Sequence, residues 1–124
     1  MQPPNVPYFL KIKESTIPGA GMGMFATRKL QKGKILGRYV GEVISQEQAM
    51  RERRDESYFI HTLEDDVFID GKTLENPMRW ANHDPVKFNA RAIINDDGHV
   101  FFETTKVIPS GKEIFIDYGY EPGK

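Results

Sequence analysis

The sequence predicts a mostly β fold with short helices, in which small curved sheets fold around one another. Short stretches rich in β-branched and aromatic residues recur at spacings of about ten residues, separated by glycine-, proline- and aspartate-rich turns. Only one segment carries a good helix signature. Because strands do not alternate with long helices, a parallel βαβ sheet and the doubly wound nucleotide-binding folds are excluded.

The composition fits one soluble globular domain. The chain has 124 residues, a formal net charge of −1 and no cysteine, which leaves room for a single core and excludes disulfides and cysteine-ligated zinc. Basic residues are scattered, which disfavours nucleic-acid binding. No stretch has the layout of a membrane span or a secretory signal. We expect an intracellular protein with an extended lead-in over residues 1–10, one domain over residues 11–120 and a tail over residues 121–124.

The first half of the chain predicts strands around a glycine-rich loop. Alternation after three prolines predicts a strand over residues 8–13. Three glycines and a proline make residues 17–23 a loop, followed by a short strand over residues 24–26. Residues 34–44 predict one or two strands. Ser45 followed by Gln48 forms a capping box, which predicts a helix to about Arg54.

The second half predicts two hairpins and a final strand. Residues 58–70 return to a strand pattern with a turn at residues 63–67. A helical turn is expected over residues 78–81 after Pro77. Residues 90–94 and 99–104 are joined by a segment ending in Asp97-Gly98, which is a strong hairpin signal. The last predicted strand covers residues 113–118.

Three patterns can carry chemistry. The glycines of Gly21-Met22-Gly23 allow the backbone to approach a ligand, although a tight turn is the simpler interpretation of this motif alone. The Asn82-His83 pair offers amide and imidazole groups, but taken alone it is more typical of hydrogen-bonded core residues. Tyr118 ends a strand, where a phenol either packs in the core or orients an amine.

The order of these patterns resembles that of the SET-domain family, from about residue 11 to residue 120. The resemblance rests on the runs Ile17-Pro-Gly-Ala-Gly-Met-Gly-Met-Phe-Ala26, Tyr39-Val-Gly-Glu-Val-Ile-Ser45, Phe68-Ile-Asp-Gly71, Arg79-Trp-Ala-Asn-His83 and Glu113-Ile-Phe-Ile-Asp-Tyr-Gly119. Each run is common by itself, but five in this order are hard to obtain by chance. The resemblance implies a β-clip-like fold of small curved sheets with a C-terminal pseudoknot.

The resemblance also implies an enzyme that transfers methyl groups from S-adenosylmethionine to the side-chain amine of a protein lysine. Tyr118 becomes the catalytic residue, His83 acts largely through its backbone, and no metal is expected. The implied cofactor-binding residues are Ala20, Gly21, Met22, Gly23, Tyr58, Trp80, Asn82 and His83. The implied lysine channel is lined by Tyr39, Ile116 and Tyr120.

The sequence departs from the family pattern in three respects. After Asn82-His83, Asp84-Pro85 intervenes and Phe88-Asn89 comes one residue late, so we expect a different loop there. Ile116 stands where a Phe or Tyr often occurs, which favours addition of two or three methyl groups. Cysteine-rich flanking segments are absent, so either a minimal enzyme manages without them, for which a homodimer that completes the channel is one way, or the chain is a piece of a longer protein.

The expected substrate is a histone or another basic protein tail, attracted by acidic residues at 64–66, at 96–97 and near the predicted helix. Solvated turns explain these acids equally well. A histone substrate would place the protein in the nucleus or on chromatin. One alternative is a catalytically silent SET module that binds a peptide or protein partner. A β-barrel that binds nucleic acid is a more remote one, disfavoured by the charge balance.

Overall fold

The computed structural model describes residues 2–117, which form two sheets with three short helices between their strands. The strands are β1 (Leu10–Glu14), β2 (Met22–Ala26), β3 (Ile35–Tyr39), β4 (Glu42–Ser45), β5 (Phe59–His61), β6 (Val67–Asp70), β7 (Asn82–His83), β8 (Ala90–Ile94), β9 (Val100–Thr104) and β10 (Glu113–Asp117). The helices are α1 (Gln46–Arg51) and two 3₁₀ helices, Glu56–Tyr58 and Pro77–Trp80. The mostly β fold class predicted from the sequence is confirmed.

The larger sheet has the order β1-β2-β10-β8-β9-β3, with β7 also pairing with β10. Most neighbours are antiparallel, but β10 runs parallel to both β7 and β8. The smaller sheet has the antiparallel order β4-β6-β5. β10 therefore brings three distant parts of the chain together, because β2, β7 and β8 all pair with it.

Helix α1 begins as predicted and ends earlier than predicted. The Ser45 hydroxyl accepts a hydrogen bond from the Gln48 backbone N–H at 3.1 Å, which is the N-cap contact expected from the sequence. The helix stops at Arg51 because Arg53 adopts a left-handed φ of 54°. The Arg53 N–H then donates to Met50 O and the Arg54 N–H to Ala49 O, and this pair of bonds closes the helix as a Schellman motif.

Arg54, which the sequence placed inside the helix, instead joins the helix end to the small sheet. Its guanidinium contacts Glu42 on β4 at 2.8 Å and Asp70 on β6 at 3.0 Å. It also contacts Glu52 at 2.6 Å. These contacts raise the pKa of Arg54, chiefly through the hydrogen bond to Asp70. The guanidinium thus holds α1 against one face of the small sheet.

Two strand boundaries differ from the sequence prediction. The first strand begins at Leu10, not at residue 8, because a turn bond from the Leu10 N–H to Pro7 O precedes it. β2 begins at Met22, so Met22 and Gly23 belong to a strand paired with β1 and not to the predicted loop. The backbone favours the strand there because the antiparallel pairing with Lys13 and Glu14 satisfies its polar groups.

Most of the remaining predicted elements are confirmed, while the predicted end of the last strand at Tyr118 lies outside the described residues. The segment over residues 34–44 forms two strands, which lie in different sheets. The chain turns between them at Gly41, where an added Cβ would lie 2.0 Å from the Asp70 carbonyl oxygen. Gly98 in the β8–β9 turn has a φ of 81°, as an Asp-Gly turn requires.

The core lies on the inner faces of the two sheets. Ile114 and Ile116 of β10 are fully buried, and the rings of Tyr39 and Phe102 pack with centroids 5.4 Å apart. β10 thus contributes Ile114 and Ile116 to the core, while Glu113 and Phe115 alternate with them on its opposite face. Among the helices of residues 2–117, none combines the length and apolarity needed to cross a membrane.

Candidate functional site

The glycine-rich hairpin lies at the end of β1 and β2. Gly19 and Gly21 have φ values of 79° and 77°, which few other residues tolerate. The turn is closed by the Ser15 N–H, which donates to Gly21 O at 2.8 Å. Ala20, Gly21 and Met22 are exposed, whereas Gly23 is buried. The hairpin therefore presents its backbone at the surface next to a buried strand.

Asn82 and His83 form β7, which the sequence did not predict as a strand. β7 pairs in parallel with β10, so that Asn82 lies opposite Phe115 and His83 lies opposite Ile116. The Asp84 N–H extends this pairing by donating to Ile116 O at 3.1 Å. The pair is therefore fixed along β10.

The Asn82 side chain joins β7 to the glycine-rich hairpin. Its Nδ2 donates to the Met22 carbonyl oxygen at 3.0 Å and to Glu113 Oε2 at 3.2 Å. Met22 and Asn82 are 60 positions apart in the sequence, so only the fold brings them into contact. The structure thus unites the hairpin, the Asn-His pair and β10 in one place.

Glu113 is the residue of this site that sequence reasoning missed. Its carboxylate accepts from Ser15 Oγ at 2.7 Å, from the Thr16 N–H at 2.8 Å and from Thr16 Oγ1 at 2.6 Å, besides Asn82. Burial raises the pKa of Glu113, but the bonds from Thr16, Ser15 and Asn82 outweigh it and hold the pKa below its ordinary value. An acid followed directly by three apolar strand residues was the available signal.

The loop after Asn82-His83 reaches β10 through Asn89. Its Nδ2 donates to Glu113 O at 3.0 Å, and its Oδ1 accepts from the Phe115 N–H at 2.9 Å. Asn89 is 8% exposed. Despite the extra residue before it, this asparagine therefore fixes the loop to the strand.

A second group of predicted residues surrounds Arg79. The Arg79 guanidinium lies 5.1 Å from the Tyr58 ring centroid and 4.8 Å from that of Trp80, within the range of cation–π attraction. Arg79 Nη1 also donates to the Lys72 carbonyl oxygen. Two buried N–H groups, Arg79 Nε and Trp80 Nε1, have no acceptor within residues 2–117. Buried donors are normally paired, so these two are suited to a ligand.

Tyr39 and Ile116 lie deep in the structure. Tyr39 is 1% exposed, and its hydroxyl donates to the Tyr58 carbonyl oxygen at 2.7 Å. Tyr39 borders a groove of about 510 Å³ that is also lined by Leu63, Glu64 and the tip of the β8–β9 hairpin. Ile116 is fully buried and pairs with His83 of β7 and Ala90 of β8. Tyr118 and Tyr120 lie outside the described residues.

Comparison with known proteins points to one family. The family model for the SET domain matches residues 21–119. The histone-lysine N-methyltransferase EZ1 of Zea mays is 28% identical over 97% of this chain and 14% of its own length. MEDEA, a histone-lysine N-methyltransferase of Arabidopsis thaliana, is 29% identical over 95% of this chain and 19% of its own length. The chain thus spans less than a fifth of these curated relatives.

Solved structures show the same fold. The methyltransferase domain of human PR domain-containing protein 2 superposes with a TM-score of 0.80 at 21% identity, over 97% of this chain and 83% of that one. The Chaetomium thermophilum Polycomb Repressive Complex 2 in an autoinhibited conformation bound to S-adenosylmethionine gives a TM-score of 0.75 at 28% identity, over 89% of this chain and 15% of that one. From the family match and the shared fold, the chain belongs to the SET-domain family.

Proposed function

We propose that this chain transfers methyl groups from S-adenosylmethionine to a protein lysine. The observation that carries the proposal is the contact between Asn82 Nδ2 and the Met22 carbonyl oxygen, together with the pairing of His83 with Ile116. Two motifs that resemble cofactor-binding segments of the family are thereby joined next to β10. Tyr118, to which we assign the catalytic role, directly follows β10 in the sequence.

The residues present fit the polar groups of S-adenosylmethionine. The Asn82 Oδ1 can accept from an ammonium group, and the unpaired N–H groups of Arg79 and Trp80 can donate to a carboxylate or a purine. The backbone of Ala20 to Gly23 and the Tyr58 ring complete the proposed site, with His83 contributing its backbone. When bound, the cofactor supplies a methyl group activated by the sulfonium charge.

The protein's part in the reaction is to place and desolvate the lysine amine. The neutral amine is the form that can accept the methyl group, which the cofactor would supply. Because a free lysine has a pKa of about 10.4, the ammonium must first lose its proton to water. An apolar channel lined by Tyr39, Ile116 and Tyr120 disfavours the charged form. We propose that Tyr118 orients the amine. Correct placement of two reacting groups can lower an activation barrier by about 7–11 kcal/mol.

A basic protein tail is the proposed substrate, and a histone tail is favoured by the names of the relatives. The groove beside Tyr39 supports this choice, since Glu64, Asp96 and Asp97 line it together with Arg38 and His99. The two acidic loops adjoin, because a Cβ on Gly98 would lie 3.9 Å from Leu63 Cδ1. A histone substrate places the protein in the nucleus or on chromatin, and Ile116 favours two or three added methyl groups. A homodimer stays a prediction that light scattering can test.

Transfer of labelled methyl groups to a histone mixture tests the proposal. We expect label on histone with the wild type, and loss of most of it with Tyr118→Phe and Asn82→Ala. Titration calorimetry should attribute the Asn82→Ala loss chiefly to weaker binding of S-adenosylmethionine. Tyr8→Phe is the matched control, because Tyr8 is 73% exposed and makes none of these contacts. Peptide binding without any transfer would instead support a silent module.

A further inference from the structure

Glu113 is a buried carboxylate that ties three segments together. It is 4% exposed, and its oxygens accept from Ser15, Thr16 and Asn82 at 2.6–3.2 Å. Gly23 packs directly against it, since an added Cβ would lie 2.4 Å from Glu113 Oε2. These donors are all uncharged, so hydrogen bonds from neutral groups stabilise the carboxylate charge.

The Asn82 amide can adopt only one orientation beside this carboxylate. Both partners of its NH₂ group, the Met22 carbonyl oxygen and Glu113 Oε2, are acceptors that cannot donate. Rotating the amide by half a turn would place Oδ1 against two acceptor oxygens and lose both bonds. The Oδ1 atom is then the side-chain atom left to accept from a ligand.

We infer that Glu113 is a positioning residue that makes the Asn82 oxygen face the cofactor site, so that the site selects a ligand with an ammonium donor at that point. The inference rests on the proposed function and deepens it. The ionised carboxylate is needed because the neutral amide introduced by Glu113→Gln can donate as well as accept, and would allow both orientations of the Asn82 amide. Glu113 itself acts only through Asn82.

Two ligands separate this role from a general structural one. S-adenosylhomocysteine carries the ammonium group, whereas 5′-methylthioadenosine keeps the adenosine and sulfur but lacks the amino-acid part. We expect Glu113→Gln to weaken S-adenosylhomocysteine binding by about tenfold or more, as for a lost hydrogen bond to a charged group. Binding of 5′-methylthioadenosine should change by less than about twofold, within the effect of a remote substitution. Calorimetric titration of the full chain measures both affinities.

Two further variants test the route through Asn82. In an Asn82→Ala background, Glu113→Gln should cause no additional loss for S-adenosylhomocysteine. Thr16→Val is the matched control, because it removes one donor to the same carboxylate at 2.6 Å without touching Asn82. It should leave the ratio of the two affinities unchanged. A Glu113→Gln effect that persists without Asn82 would overturn the inference.

The remaining outcomes are also decisive. Equal weakening of both ligands by Glu113→Gln, or unaltered affinity for S-adenosylhomocysteine, would overturn the inference and leave the proposed function standing. A wild-type chain that binds neither ligand would overturn the proposed function, and the inference with it. If Glu113→Gln does not fold, Asn82→Ala alone must weaken the binding of S-adenosylhomocysteine more than that of 5′-methylthioadenosine. An equal loss of affinity for both ligands would refute the inference that the site selects a ligand with an ammonium group.

Discussion

A single methyl group on Gly71 tests the packing around Tyr39. A Cβ at this position would lie 2.3 Å from Cε2, Cζ and the hydroxyl oxygen of the Tyr39 ring. Carbon atoms pack at about 3.5–4.0 Å, so the ring would have to move by more than about 1 Å to restore an ordinary contact. The ring can move only at a cost, because it is buried and movement would break the bond from its hydroxyl to the Tyr58 carbonyl oxygen at 2.7 Å.

The expected cost of Gly71→Ala follows from these contacts. Overpacking a core costs about 1–3 kcal/mol, and breaking the Tyr39 hydrogen bond adds about 1 kcal/mol. Alanine restricts the unfolded chain more than glycine does, which offsets this loss by about 0.4–1 kcal/mol. The net loss in the free energy of unfolding should be about 2 kcal/mol, as these terms combine. At about 4 °C for each kcal/mol, the Tm should fall by about 8 °C.

Thermal unfolding followed by circular dichroism checks this value. Gly37→Ala is the control, because the three atoms nearest to its Cβ would all belong to the Met78 side chain, with Cε the nearest at 2.8 Å. A flexible methionine end can yield, so this control should lower the Tm by far less. If Gly71→Ala were as stable as the wild type, or if the two variants lost the same amount, the account of this packing would be wrong.

Three further perturbations probe the scaffold of the site. Asn89→Ala removes the side-chain partners of Glu113 O and the Phe115 N–H, and should lower the free energy of unfolding measured in urea by about 2–4 kcal/mol. Arg54→Met removes the ion pair between the end of α1 and Asp70 and should lower the urea midpoint of unfolding. The decrease should be smaller in 1 M salt than in dilute buffer, because the Debye length in 1 M salt is only about 3 Å. The pKa of Glu113 is lower in the folded protein than in the unfolded chain. The ionised carboxylate therefore stabilises the fold fully above the unfolded pKa of about 4.3, and this stabilisation is lost as the pH falls through the folded pKa. The dependence of Tm on pH in acid should be weaker for Glu113→Gln than for the wild type.

Local signals were sufficient where neighbouring residues decide the structure. The Ser45 cap, the Asp97-Gly98 turn and most strands were predictable because each depends on side chains only a few positions apart. The end of α1 was predicted wrongly, because the left-handed Arg53 is not marked by a glycine. Its conformation is supported by the contacts of Arg54 with two strands, which no local pattern reveals.

The sequence alone determined the fold class and the family resemblance, since these depend on strand spacing and on the order of short motifs. Only the tertiary structure decided that β10 runs parallel to β7 and β8 and that Asn82 contacts Met22. It also assigned Glu113 to the site, through donors 97 and 98 positions away. The physical reason is that hydrogen-bond partners of buried groups are chosen by packing in space, which the spacing of residues along the chain does not encode.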